Sequence, residues 1–257
     1  MLKTLIIANW KANPKTVRRA VALARAADLE ISSASRRNRN IELVIAPPFP
    51  FLVPVKGVLT RAMLGAQDVF WEPQGPYTGE VGTALLKNIG VRYVILGHSE
   101  RRMHLGETDE MVARKVRAAL DAGIIPVVCV GERTREGNDI PPVVGDQVRA
   151  ALRNVKKNHA GRLVIAYEPV WAISTHPRAR PDRPESAFRA AVYIRKVAAA
   201  ALGRAAAEKI RVIYGGSVNA ENITGFLREA GMAGALVGSA SLRPEEFKKL
   251  LRRVNTL

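Results

Sequence analysis

Four side chains in this sequence could together move a proton and hold an anion, and each stands at or just past the end of a short apolar run. Glu168 closes "LVIAYE" and is followed at once by Pro169, whose ring stiffens the backbone around the carboxylate. A carboxylate partly shielded from water gains basicity, as a general base requires. His98 follows "RYVILG" beside a potential helix N-terminus, a position from which an imidazole can act as electrophile or as acid and base. Asn9 and Lys11 set an amide and an ammonium two residues apart, on one side of the chain if it is extended there. An ammonium so placed can hold an anionic substrate and polarise a carbonyl. Taken singly, each has a plainer reading: Lys11 as a surface lysine, His98 as a structural histidine, and Glu100 as the ion-pair partner of Arg101 and Arg102.

Two small-residue turns add a second kind of chemistry. "YGGSVN" and "LVGSAS" expose backbone N–H groups, and helical patterns follow both. Adjacent N–H donors at helix N-termini form a natural phosphate site. A carboxylate, an imidazole, an ammonium and a phosphate cradle converge on one reaction class. It is proton abstraction beside a carbonyl, with lysine and histidine stabilising the enediolate.

Such convergence needs a scaffold that brings distant segments to one face. Eight apolar, β-branched runs read as strands: Leu5 to Trp10, Ile41 to Ala46, Met63 to Asp68, Arg92 to Gly97, Ile125 to Val130, Leu163 to Glu168, Ile210 to Gly215 and Gly234 to Ser239. Amphipathic segments alternate with them, among them Pro14 to Ala27, Glu107 to Ala122, Ala187 to Leu202 and Pro244 to Val254. Prolines 47, 48, 50 and 54 leave room for only a short helix after the second run. Eight strand–helix units without a linker imply a parallel sheet closed as a single-domain (β/α)8 barrel spanning residues 1–257. An open doubly wound sheet would want a glycine-rich turn after its first strand, and "NWKANP" has no glycine. The barrel places chemistry on the loops leaving the C-terminal ends of its strands, where all four candidates stand. The 14 residues from Val170 to Arg183 are long for a barrel loop and read as a lid.

Composition narrows the setting. A single cysteine, Cys129, excludes an intrachain disulfide framework and a cysteine-rich zinc site, and fits a reducing compartment. No apolar run reaches membrane-spanning length, and the N-terminus reads as a first strand rather than a leader, so a cytoplasmic protein is expected. Forty lysines and arginines against 23 acidic residues give a net charge of +17, which raises the question of a nucleic-acid partner. The basic residues are scattered at helical spacing and no aromatics interleave with them as a stacking platform would require. Solvated helix faces are therefore expected, with weak, non-specific polyanion binding as the alternative.

The blocks "NWKAN", "AQD…WE…GPYTGEV", "VILGHSERR", "CVGE", "YEPVWAI" and "YGGSV" occur in an order that resembles the triosephosphate isomerase family, from residue 9 to Phe247. The resemblance implies a cofactor-free, metal-free aldose–ketose isomerase of glycolysis and gluconeogenesis, acting on dihydroxyacetone phosphate and D-glyceraldehyde 3-phosphate. It also implies roles for particular residues. Glu168 would be the base, His98 the neutral electrophile, Lys11 and Asn9 the substrate contacts, and Glu100 the acidic residue behind the histidine and lysine. The phosphate would meet Ser217, Gly238 and Ser239, with Ser174 added from the lid. Glu132, Tyr167 and Trp171 would anchor the lid's first hinge, and Tyr214 and Ser217 would latch it. The loop "GPYTGEV", with Thr78, would cross into the partner of a homodimer. Two segments depart from the family's pattern. The lid "AISTHPRARPDRPE" is three residues longer and poorer in glycine, and "GERTREGNDIPPVV" keeps Glu132 but loses the usual helix start. Ser239 also stands where a second glycine is usual, with its N–H still available.

Overall fold

A strand apolar on both faces is stable only with packed side chains on both sides, and eight such strands satisfy one another by closing into a ring. In a computed structural model, which describes residues 3–33, 40–173 and 179–257, that ring is formed. The elements run β1 (Thr4–Asn9), α1 (Val17–Ser33), β2 (Ile41–Ala46), α2 (Leu52–Lys56), β3 (Met63–Ala66), α3 (Thr83–Ile89), β4 (Val91–Leu96), α4 (Ser99–His104) and α5 (Asp109–Ala122). They continue with β5 (Ile125–Val130), α6 (Pro142–Leu152), β6 (Val164–Tyr167), α7 (Pro184–Leu202), α8 (Arg204–Ala207), β7 (Arg211–Tyr214), α9 (Ile223–Arg228), β8 (Gly234–Val237) and α10 (Pro244–Asn255). The strands form a closed parallel barrel in sequence order, β1 pairing with both β2 and β8. At the closing seam a Cβ on Gly234 would lie 1.9 Å from the Leu5 carbonyl oxygen, so only glycine lets the first and last strands meet.

The two-residue period of a strand sorts its side chains into two cores. Leu5, Ile7, Val44, Tyr93, Ile95, Val127, Cys129, Val164, Ala166, Ile213 and Leu236 fill the barrel interior. Ile6, Leu43, Ile45, Val94, Leu96, Val128, Ile165 and Val212 face outward onto helix residues such as Leu23, Val116, Val148, Ile194 and Leu250. Each fully buried aliphatic side chain contributes about 1.5–3 kcal/mol from removal of its apolar surface from water. The N-terminal end of the barrel is closed by a polar plug rather than an apolar one. Arg211 pairs with Glu42 at 2.6 Å and donates to the Tyr93 hydroxyl at 2.8 Å, and that hydroxyl donates to Glu42. Burial and the Glu42 carboxylate push the Tyr93 phenol up to about 12.

The helices follow the sequence signals closely where caps are strong. The Thr108 hydroxyl accepts the Met111 N–H to start α5, and Gly123, at φ 84°, ends it. α10 opens on Pro244, Glu245 and Glu246 and buries Phe247, Leu250, Leu251 and Val254. The proline-rich stretch after β2 yields a 3-10 turn, Phe49–Phe51, and the five-residue α2. Among the described residues no helix is long and apolar enough to cross a membrane.

Candidate active site

Glu168 follows the last residue of β6, and its main chain is gripped on both sides. Its N–H donates to the Val130 carbonyl at 2.7 Å, while the Gly215 N–H donates to the Tyr167 carbonyl at 2.7 Å. A Cβ on Gly131 would lie 2.0 Å from the Glu168 carbonyl oxygen, so β5 can approach this closely only through glycine. The side chain is 3% exposed as a residue and both carboxylate oxygens are engaged. Oε1 lies 2.9 Å from His98 Nε2, and Oε2 accepts the Ser99 N–H at 2.9 Å. Burial pushes the Glu168 carboxyl up, but the His98 ring, the Ser99 N–H and Lys11 together hold it below the ordinary carboxylate range.

His98 caps α4. Gly97, at φ 68°, turns the chain out of β4, and the next residues begin the helix. The Nδ1 atom of His98 accepts the Glu100 N–H at 3.2 Å, which requires a lone pair on that nitrogen. The ring proton is thereby assigned to Nε2, the atom that faces Glu168. With Glu168 in contact, that carboxylate outweighs burial and raises the affinity of the ring for a proton. Once the carboxylate turns to another partner, burial and the helix N-terminus both favour the neutral ring.

Lys11 reaches the site by a route that strand alternation does not describe. β1 ends at Asn9, and Lys11 has φ 52°, the one non-glycine residue with positive φ among those described. Three contacts hold this left-handed turn. The Lys11 N–H donates to Asn9 Oδ1 at 3.1 Å, and Gln67 Nε2 donates to the carbonyls of Lys11 and Ala46, each at 2.9 Å. The Lys11 ammonium then pairs with Glu100 Oε1 at 2.5 Å. Asn9 and Lys11 do converge, as the sequence implies, but through a turn rather than an extended segment.

Asn9, Lys11, His98 and Glu168 line one open cavity of about 250 Å³, with Gly215, Gly216, Ser217, Gly238 and Ser239 on its opposite wall. The wall expected to take phosphate is not two helix N-termini in a row. After β8 comes a 3-10 turn, Ser239–Leu242, whose opening N–H groups have no acceptor within the turn itself. After β7 the helix α9 starts only at Ile223, because Asn219 and Asn222 first close a tight turn, with Asn219 Oδ1 accepting the N–H groups of Glu221 and Asn222. The Ser217 N–H donates to the Ala172 carbonyl at 3.2 Å, so a ligand would have to take this donor over from the lid's first arm.

Behind Glu168 sits the segment expected to hinge the lid. Glu132 accepts the Tyr167 hydroxyl at 2.9 Å and the Trp171 indole N–H at 2.8 Å, and its carbonyl accepts the Val170 N–H at 3.0 Å. On the second arm the Tyr214 hydroxyl donates to Asp182 Oδ2 at 3.2 Å. Sequence reasoning missed Ser99, Gln67, Arg135 and Asp182 in this region. The i, i+3 spacing of Glu132 and Arg135 was the available signal for one of them. Ser174 and the central lid residues, 174–178, lie outside the described residues. Thr78 is exposed and lines neither this cavity nor a neighbouring one of about 300 Å³ beside Asn9, Lys11, Gln67, His98 and Glu100. Among the described residues no cluster of three or more His, Cys, Asp or Glu is arranged to hold a metal ion.

Comparison with known proteins places this geometry in context. The model of a family described as "Triosephosphate isomerase" matches residues 4–254. The chain is 43% identical over 256 residues to a protein of that name from Endomicrobium trichonymphae, covering 98% of this chain and 99% of the relative. It is 44% identical over 255 residues to one from Caldanaerobacter subterraneus subsp. tengcongensis, with the same coverage. A third, from Dictyoglomus thermophilum, is 41% identical over 256 residues and is covered completely.

Proposed function

Because the chain belongs to the triosephosphate isomerase family and interconverts triose phosphates, we propose that Glu168 is the base that carries the proton between neighbouring substrate carbons. The observation that carries this reading is the meeting of Glu168, His98 and Lys11 at one cavity wall, facing the small-residue turns 215–217 and 238–239. The turns hold the phosphate through N–H groups, and Lys11 and Asn9 hold the carbonyl end. Glu168 releases His98 and the Ser99 N–H and takes a proton from the carbon beside the carbonyl. The electron pair of that C–H bond forms the enediolate double bond, and charge moves to the carbonyl oxygen, where His98 Nε2–H and the Lys11 ammonium receive it. His98 passes its proton to that oxygen and regains one from the neighbouring hydroxyl. Glu168 returns its proton to the adjacent carbon, completing the exchange of aldehyde and ketone with every group restored. Glu100 fixes the Lys11 ammonium.

A base that exchanges its proton with water leaves a mark in the product. Turnover in deuterium oxide is expected to give triose phosphate labelled at the carbon next to the carbonyl, read by proton NMR. Labelling at full rate by a folded Glu168→Gln would overturn the role of Glu168, whereas unlabelled wild-type product would show only that the abstracted proton returns before it exchanges with water.

The second part of the reading is a homodimer in which Thr78 enters the partner's site. The residues 73–80 are exposed, and Tyr77, 41% exposed, leans on Phe70 with ring centroids 4.8 Å apart. The cavity beside Asn9, Lys11 and Glu100 offers such a loop a seat next to the catalytic groups. Sedimentation of the purified chain is expected at twice 28.0 kDa, and Thr78→Arg is expected to give a monomer of low activity. A wild-type monomer with full activity at micromolar concentration would refute this.

A further inference from the structure

The two segments that depart from the family's pattern meet in space. The segment after β5 that loses the usual helix start carries Arg135, and the longer lid carries Arg180 and Asp182. Arg135 is 8% exposed, and its neighbours Glu132 and Asp182 each have side chains only 1% exposed. Its guanidinium lies between those two carboxylates, with Nε 3.6 Å from Glu132 Oε1 and Nη2 3.8 Å from Asp182 Oδ1. Nη2 also donates to the Ser186 hydroxyl at the start of α7. The same guanidinium stands 5.1 Å from the Trp171 ring centre, and Arg180 stands 4.8 Å from that centre. Arg180 further donates to the Arg135 carbonyl at 2.9 Å, and its N–H donates to the Trp171 carbonyl at 3.1 Å.

Three buried charges in one place are costly unless each serves another. Here Glu132 fixes the first arm of the lid through Trp171 and Val170, and Asp182 fixes the second through Tyr214. Arg135 is the only group that touches both carboxylates among the described residues. We propose that Arg135 is a positioning residue for the isomerisation, tying the two arms of the lid to each other and, through Pro169 and Val170, to the main chain of Glu168. This rests on the reading of Glu168 as the base. A planar fork with a rigid set of donors suits a two-carboxylate bridge, and a lysine can serve only one side of it at a time.

The test uses the full chain with Arg135→Lys, Arg135→Met, Asp182→Asn and the Arg135→Met/Asp182→Asn double variant. Fold is checked by circular dichroism, and kcat, KM and inhibition by inorganic phosphate are measured. Displacement of a reacting group by an ångström or less reduces rates by about 10- to 100-fold, and kcat of Arg135→Met is expected in that range. Arg135→Lys is expected to fall between it and the wild type. Inhibition by phosphate, which draws mainly on the turns after β7 and β8, is expected to change far less than kcat in both. The double variant is expected to be no slower than the worse single one, because both substitutions break the same bridge. A folded Arg135→Lys with wild-type kcat overturns the proposal, whether or not Arg135→Met folds, and so does a double variant in which the two losses multiply. Wild-type turnover by a folded Glu168→Gln would instead strike the role of Glu168 itself.

Discussion

Glu168→Gln is expected to lower kcat by about 10²- to 10⁴-fold, the range that a positioned general base supplies. The substitution is close to isosteric. An amide oxygen can still accept the Ser99 N–H, now 2.9 Å from Oε2, so the loop after β4 keeps its place. What disappears is basicity, and the other carboxylate lining the cavity, Glu246, is committed to Arg243. His98 has Nδ1 occupied by the Glu100 N–H, and Lys11 is committed to Glu100. Binding of inorganic phosphate should remain, because its donors lie on the opposite wall. Glu168→Asp keeps the base but draws it back by one methylene, and a rate about 10²-fold below wild type is expected. A coupled assay of purified protein in both directions reads these losses. Normal turnover by Glu168→Gln would remove Glu168 from the mechanism.

The second large effect is expected at Lys11. Lys11→Met keeps most of the stem and removes the ammonium, and kcat/KM is expected to fall by about 10²- to 10³-fold, as for loss of a preorganised group at a developing oxyanion. Both constants should suffer, since the ammonium meets a charged substrate before reaction and a more localised charge during it. The fold should tolerate the change. The backbone turn at position 11 is held by Asn9 and Gln67, not by the ammonium, and Glu100, left without its cation, is 34% exposed at its side chain and can be hydrated. Steady-state kinetics with circular dichroism as control decides the matter, and an unchanged kcat/KM in the folded variant would discard the role given to Lys11.

The barrel was readable in the chain because its strands are apolar on both faces and amphipathic segments alternate with them. The four groups that meet at the cavity were readable because the architecture fixes which end of a strand holds chemistry. Glu168, His98, Lys11 and Asn9 all follow this rule. What supports them was not readable to the same degree. Gln67 carries no special signal, and its importance comes from two carbonyls that only the closed sheet brings together. Ser99 acts through its N–H, which any residue but proline would supply. Arg135 and Asp182 sit in segments without periodicity, where charged residues ordinarily read as solvated, and it is the fold that buries them. Lys11 shows a subtler failure. Alternation along a strand gave the correct side for the ammonium, yet the backbone leaves the strand two residues earlier and recovers that side through a turn.

The close contact between Gly131 and the Glu168 carbonyl has a kinetic consequence. Main-chain atoms locked between the ends of β5 and β7 have almost no freedom to translate, so the carboxylate can change partners only by rotation about its own side-chain bonds. Rotations of that kind need no collective movement of the chain, whereas loop closures in enzymes take microseconds to milliseconds. On the reading of Glu168 as the base, the rate-limiting step is therefore expected elsewhere than in the carboxylate's change of partners, and a kcat that responds to solvent viscosity would agree with this.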